Sequence, residues 1–388
     1  MTRKKVQIQF DCANNFGSPF PLAVLRRIFT HLLYIHRSAL AICCRVSRSF
    51  SQIASPILYS RIGISSIPQR DSRADHSLDR LTVNGREKTT TRKKKLLKCA
   101  RYITVDAHDS STLCGIGRNK KLSFPELEVL TLCLTIDSTG PILHNDPIVH
   151  PPKRKQQECS LLKRITTAPK KLVLDGANMT SITAFPLGFP KNIYDNLEEI
   201  TFICPPIVYL PDPSVVGFPD WSELPLKKVN WMFFTKDKDH YWTLGQHHLD
   251  PTKQRYGSGR FTDEYWSFGK FLLSFPTNIE INVINSGSIH PCTIGSVYLD
   301  QQYNQNLFAN KVRQGMLAEV QSRARRHGPV QNGNYTEQDL KITLDIDMAK
   351  AQERWSAIRW VGMIEYLRNN DWEGELEPDE FKVWLNSK

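Results

Sequence analysis

The chain has 388 residues, 40% hydrophobic and 23% charged, which leaves room for one small and one large domain. No apolar run approaches the roughly 18 residues of a membrane-spanning helix, so a partner in the bilayer is not expected. The net charge of +12 is uneven: residues 1–100 hold 19 Lys and Arg against 5 Asp and Glu, and the rest hold 32 against 34, a bias that favours an acidic partner or nucleic acid.

Residues 1–17 read as a flexible basic N-terminus without the continuous apolar core of a secretory signal. From 18 to 62 the pattern is helical. Pro21 suits a first helical turn, and Leu22, Leu25, Ile28, Phe29, Leu32 and Leu33 recur at steps of three and four. Ser38 is placed to cap a second helix through Leu40, Cys43 and Cys44. Ser47 is placed to cap a third, with Phe50, Ile53, Ala54, Ile57 and Leu58 on one face and Pro56 kinking it or starting a fourth. Three short helices in about 40 residues bury too little surface to stand alone comfortably, so an apolar face is expected to be left for a partner or for the rest of the chain.

Residues 63–98 are polar and basic and read as a linker. From 99 to 388 short apolar strands are predicted at Tyr102–Val105, Leu127–Leu134, Leu172–Leu174, Leu197–Ile203, Leu226–Phe233, Ile279–Ile284 and Leu340–Ile346. Their alternation suggests one buried face. Helices are predicted over about 263–274, 306–326 and 349–369, the last with Ala357, Trp360, Val361, Ile364 and Leu367 at helical spacing. Three of the strands share the form apolar-x-x-apolar-x-apolar, at Leu127–Leu132, Leu197–Phe202 and Leu226–Trp231.

Two segments carry a family resemblance. Phe20, Pro21, Ala23, Val24 and Leu25, then Ile28, Phe29 and Leu32, then Val46, Ser47, Arg48 and Phe50, and finally Ala54, Pro56, Leu58 and Tyr59 resemble the F-box of fungal proteins. The match departs at Phe20, where the family has Leu, and at Ala23, where it has an acid. The strand form resembles a degenerate leucine-rich repeat, although the Asn that follows each strand in that family is absent or out of phase.

Together these resemblances imply an α+β chain: a small all-α F-box followed by an irregular α/β leucine-rich-repeat-like solenoid. They imply a substrate-recruiting subunit of a Skp-cullin-F-box type ubiquitin ligase, cytoplasmic or nuclear. The Skp adaptor would be held by Phe20, Pro21, Leu25, Ile28, Phe29, Leu32, Val46, Ser47 and Phe50. A protein target would sit on the later domain, with Tyr241, Trp242, Arg255, Tyr256 and Arg260 as candidate contacts in an aromatic band from 231 to 271. The alternatives are a basic nucleic-acid-binding protein and an F-box scaffold acting outside a ligase.

No catalytic residue, cofactor or metal site is assigned. Gly115-Ile-Gly117 and Gly257-Ser-Gly259 lack a phosphate-binding fingerprint, and His240, His247 and His248 lack ligand spacing. Nine scattered cysteines without a Cys-x-x-Cys pair read as free thiols in a reducing compartment. The basic runs Arg92–Lys95 and Lys153–Lys155 are of the kind a nuclear importer reads. Asn369–Glu380 has the length of an EF-hand loop with Gly374 and Glu380 in place, but it opens on Asn369 and reads better as a solvated acidic tail.

Overall fold

A computed structural model describes residues 20–64, 95–108, 121–137, 140–142, 159–176, 190–204, 221–234, 268–269, 271–288, 305–326, 337–369 and 372–376. The chain divides into two compact units, Met1–Ser60 and Arg61–Lys388. The boundary between the units falls before Arg61, beside the end of the helical module that the sequence reading sets at residue 62, and most of the expected linker, residues 65–94, lies outside the described residues. Residues 61–64 are a strand, and residues 95–97 form a helical turn.

The first unit holds α1 (Leu22–Ile35), α2 (Arg37–Val46) and α3 (Arg48–Leu58). Pro21 stands immediately before α1, and its carbonyl accepts from the amides of Val24 and Leu25. The cap of α2 is His36 rather than Ser38: His36 Nδ1 accepts from the Ala39 amide at 3.3 Å and bonds the Ser38 hydroxyl at 2.7 Å. Ser47 caps α3 as expected, accepting from the Phe50 amide at 3.0 Å. Pro56 lies inside α3, within its last turn. Leu25, Phe29, Leu40, Ile53, Ala54 and Leu58 form the core of the unit, and Phe29 meets Phe50 edge-on at 5.3 Å.

The second unit is built on one parallel sheet of eight strands: β1 (Arg61–Ile64), β2 (Tyr102–Val105), β3 (Val129–Cys133), β6 (Lys171–Asp175), β7 (Glu199–Cys204), β8 (Lys228–Phe233), β9 (Glu280–Ile284) and β10 (Ile358–Val361). Each strand pairs with the next of this series, so spatial order follows chain order. A small antiparallel hairpin, β4 (Thr135–Asp137) with β5 (Gly140–Ile142), lies between β3 and β6 in the chain. The second unit also holds the α-helices α4 (Ser160–Arg164), α5 (Gln305–Arg326), α6 (Glu337–Ala357) and α7 (Met363–Asn369).

Six of the seven strands predicted from sequence are present, each within two residues of its expected ends. The seventh is not: Leu340–Ile346 lies inside α6. Likewise Trp360 and Val361 belong to β10 rather than to a continuous C-terminal helix, because the open edge of β9 takes Ile358–Val361 into its ladder.

Both faces of the sheet are covered, where one buried face was expected. On the first face Leu130, Leu132, Leu172, Leu174, Ile200, Phe202, Val229, Trp231, Ile281 and Val283 pack with Leu161, Leu162, Phe271, Phe308, Val312 and Met316. Aromatic rings dominate there. Trp231 stacks on Phe202 at 5.0 Å and meets Phe268 and Phe271 at 5.0 and 5.3 Å. The described part of the aromatic band is therefore core. On the second face Tyr102, Val129, Val173, Ile203, Met232, Ile284 and Val361 pack with Met363, Tyr366, Leu367 and Leu376.

Candidate interaction surfaces

The helical unit splits its apolar residues between an inside and an outside. Leu25 and Phe29 point inward. Phe20, Val24, Ile28 and Ile35 around α1, with Ile42 and Val46 on α2, are 39–65% exposed. The spacing explains the division: Val24, Ile28 and Ile35 recur by four and seven, and Ile42 and Val46 by four, so each set follows one side of its helix. These exposed side chains lie on two helices of one small unit, and apolar surface of this kind marks an interaction site where it is contiguous.

Charge is one-sided here. Between Phe20 and Ser60 there are five arginines (Arg26, Arg27, Arg37, Arg45 and Arg48) and no Asp or Glu. All but Arg37 are exposed, and Arg37 reaches the Leu58 carbonyl at 3.5 Å.

Of the residues that the resemblance nominates for an adaptor, Phe20, Pro21, Ile28, Val46 and Ser47 lie on the surface, and Leu32 and Phe50 are half-buried against the module core. Leu25 and Phe29 belong to the core of the unit itself. Val24, Ile35 and Ile42 join the surface set, and their helical spacing was visible in the sequence. Tyr241, Trp242, Arg255, Tyr256 and Arg260 lie outside the described residues.

The second surface lies across the sheet. In register, Tyr102, Val129, Lys171, Glu199, Lys228 and Glu280 form one row, and Thr104, Thr131, Val173, Thr201, Asn230, Asn282 and Arg359 form the next. Charges alternate along the first row: Lys171 Nζ lies 3.2 Å from Glu199, and Lys228 Nζ lies 3.5 Å from the same carboxylate. One residue earlier, Arg101 is paired with Glu128 at 2.6 Å and Lys227 with Glu198 at 3.1 Å. Asn282 donates to Asn230 Oδ1 at 3.0 Å in the second row.

The segment Trp372–Leu376 closes over these rows. Glu375 is buried, and its Oε1 receives Lys171 Nζ at 3.0 Å, Thr201 Oγ1 at 2.7 Å and Asn230 Nδ2 at 3.4 Å. Its Oε2 accepts from the Tyr366 hydroxyl. Thr131 Oγ1 donates to the Gly374 carbonyl at 3.0 Å, and Tyr102 donates to Glu373 at 3.0 Å. Gly374 has φ +86°, and a Cβ there would stand 2.5 Å from Tyr102 Cδ1 and 2.9 Å from Val129 Cγ2. The expectation of a solvated acidic tail is thus corrected for these residues: Glu375 is held by an ammonium and three neutral donors.

The electrostatics follow the geometry. Burial pulls the Lys171 ammonium down, but Glu375 and Glu199 more than offset it, and its pKa is raised from 10.5. Burial, followed by the Glu373 charge, raises Tyr102. The hydrogen bond to Glu128 is the largest influence on Arg101 and raises it. Arg354 is the contrasting case. Its Nη1 donates to the Thr277 and Ile279 carbonyls at 3.3 and 2.7 Å, and burial lowers the guanidinium to about 10.

Among the described residues no three His, Cys, Asp or Glu side chains are grouped to hold a metal ion, and no helix is long and apolar enough to cross a membrane. Cys159 Sγ lies 3.7 Å from His108 Nε2, while His108 Nδ1 bonds the Asp106 carbonyl at 2.8 Å. Both residues are about 1% exposed. Comparison with protein-family models, with curated proteins and with solved structures finds no match to this chain.

Proposed function

We propose that this chain is a non-catalytic adaptor that recruits a protein target to a Skp-cullin-F-box type ubiquitin ligase. The helical unit acts as an F-box and docks a Skp-type adaptor, and through it a cullin. The parallel-sheet unit, read as an irregular leucine-rich-repeat-like solenoid, carries the target. Its mechanism is proximity: tethering two proteins raises the effective concentration of one at the other without chemistry in this chain.

The observation that carries the reading is the exposed apolar set Phe20, Val24, Ile28, Ile35, Ile42 and Val46 in a stretch, residues 20–60, with five arginines and no acid. Such a surface suits a partner with an apolar groove and an acidic rim. The test is co-expression with a Skp adaptor, comparing wild type with Val24→Asp and Val46→Asp. Stable co-purification of wild type and its loss in both variants, with helix content unchanged, is the expected result. Co-purification that survives both substitutions sinks the reading.

A further inference from the structure

We propose that the sheet face lined by Tyr102, Thr131, Lys171, Thr201 and Asn230 is a recognition surface for an acidic, glycine-containing segment of a partner protein. Glu373-Gly374-Glu375 of this chain fills it in cis as a built-in competitor. The proposal concerns the second unit alone and stands whether or not the helical unit docks an adaptor.

The contacts are those of peptide recognition. Five side chains from four strands and one helix read two carboxylates, and a sixth reads a main-chain carbonyl. Tyr102 binds Glu373; Lys171, Thr201, Asn230 and Tyr366 bind Glu375; Thr131 binds the Gly374 carbonyl. Specificity at the central position comes from space, since a side chain at Gly374 would run into Tyr102 and Val129. A segment serving only to close a core would be expected to do so with apolar groups, because a buried ion pair stabilises weakly against its desolvation cost. Here Leu376 and Trp372 supply the apolar contribution, while Glu373 and Glu375 are matched to the polar rows.

The competitor is tethered close by. Trp372 Nε1 donates to the Leu367 carbonyl at 3.1 Å, and α7 itself packs on the same face through Met363, Tyr366 and Leu367. α7 has its own apolar anchorage, so the five-residue strap can leave without it. Its short tether gives the strap a high effective concentration, and an outside segment binds the intact chain weakly.

The test uses the full chain carrying Gly374→Val, which evicts the strap, and a synthetic peptide with the sequence of residues 369–380 as probe, titrated calorimetrically. The Gly374→Val chain is expected to bind the peptide at least about tenfold more tightly than wild type does. The same peptide with Glu375→Gln is expected to lose that binding. Two results overturn the proposal. One is a Gly374→Val chain that melts cooperatively yet binds the peptide no better than wild type. The other is a Gly374→Val chain that loses its cooperative melt, which would make the strap indispensable to the fold.

Discussion

Lys171 Nζ lies 3.0 Å from Oε1 of Glu375, joining the start of β6 to the last described segment of the chain. The Lys171 side chain is 11% exposed and that of Glu375 is fully buried, so the pair is largely shielded from solvent. Glu199 flanks Lys171 on the adjacent strand and keeps part of its charge compensated when Glu375 is changed.

This pair predicts a pH dependence with a definite sign. The Lys171 pKa is raised above 10.5, so its contribution is complete below that pH and fades as pH climbs through the higher folded value. Chemical denaturation should show wild type losing stability at alkaline pH relative to Lys171→Met. At neutral pH, Glu375→Gln should lower the unfolding free energy by about 3 kcal/mol, as expected for one half of a buried pair. A double-mutant cycle that returns no coupling between the two positions would contradict the geometry.

Core and surface of the helical unit should separate cleanly. Val24→Asp and Val46→Asp change exposed positions and should leave the helical signal within about 0.5 kcal/mol of wild type. Leu25→Asp places a carboxylate among Phe29, Leu40 and Ile53 and should unfold the unit. Circular dichroism melts of the three variants make the comparison.

Ser47 supplies one of the caps that hold the unit together. Ser47→Ala removes the acceptor for the Phe50 amide and should cost about 1 kcal/mol. Ser47→Asp, which restores an acceptor, should recover most of it. Hydrogen exchange at the Phe50 amide gives the local readout.

The aromatic cluster should dominate the stability of the sheet. Phe202 stacks on Trp231 at 5.0 Å and meets Phe271 edge-on at 5.6 Å. Phe202→Ala should therefore lower the unfolding free energy by about 3–5 kcal/mol in denaturant titration. A value below about 1 kcal/mol would mean that the cluster is not packed as described.

Much of the sheet was legible because strands announce themselves locally. Leu130 and Leu132, Ile200 and Phe202, Val229 and Trp231 alternate with polar residues, and all six side chains face one core. The same rule misleads at Leu340–Ile346, whose alternation sits within a 21-residue run of mostly helix-forming residues free of Gly and Pro. Summed helical propensity prevails there, leaving Ile342 and Ile346 exposed four residues apart on α6. β1 and β10 were missed for the opposite reason: each is four residues long and gains its hydrogen bonds only from a neighbouring strand.

By itself the amino-acid order determined the helical unit, its Ser47 cap and most of the strands, since each depends on residues within a few positions of one another. Only the tertiary structure decided that Leu25 and Phe29 turn inward while Ile42 and Val46 remain outside, and that Glu375 lies beneath Tyr366 against Lys171. Those outcomes depend on groups brought together by packing and register across long stretches of chain, and periodicity along one segment carries no information about which distant charge or ring will meet it.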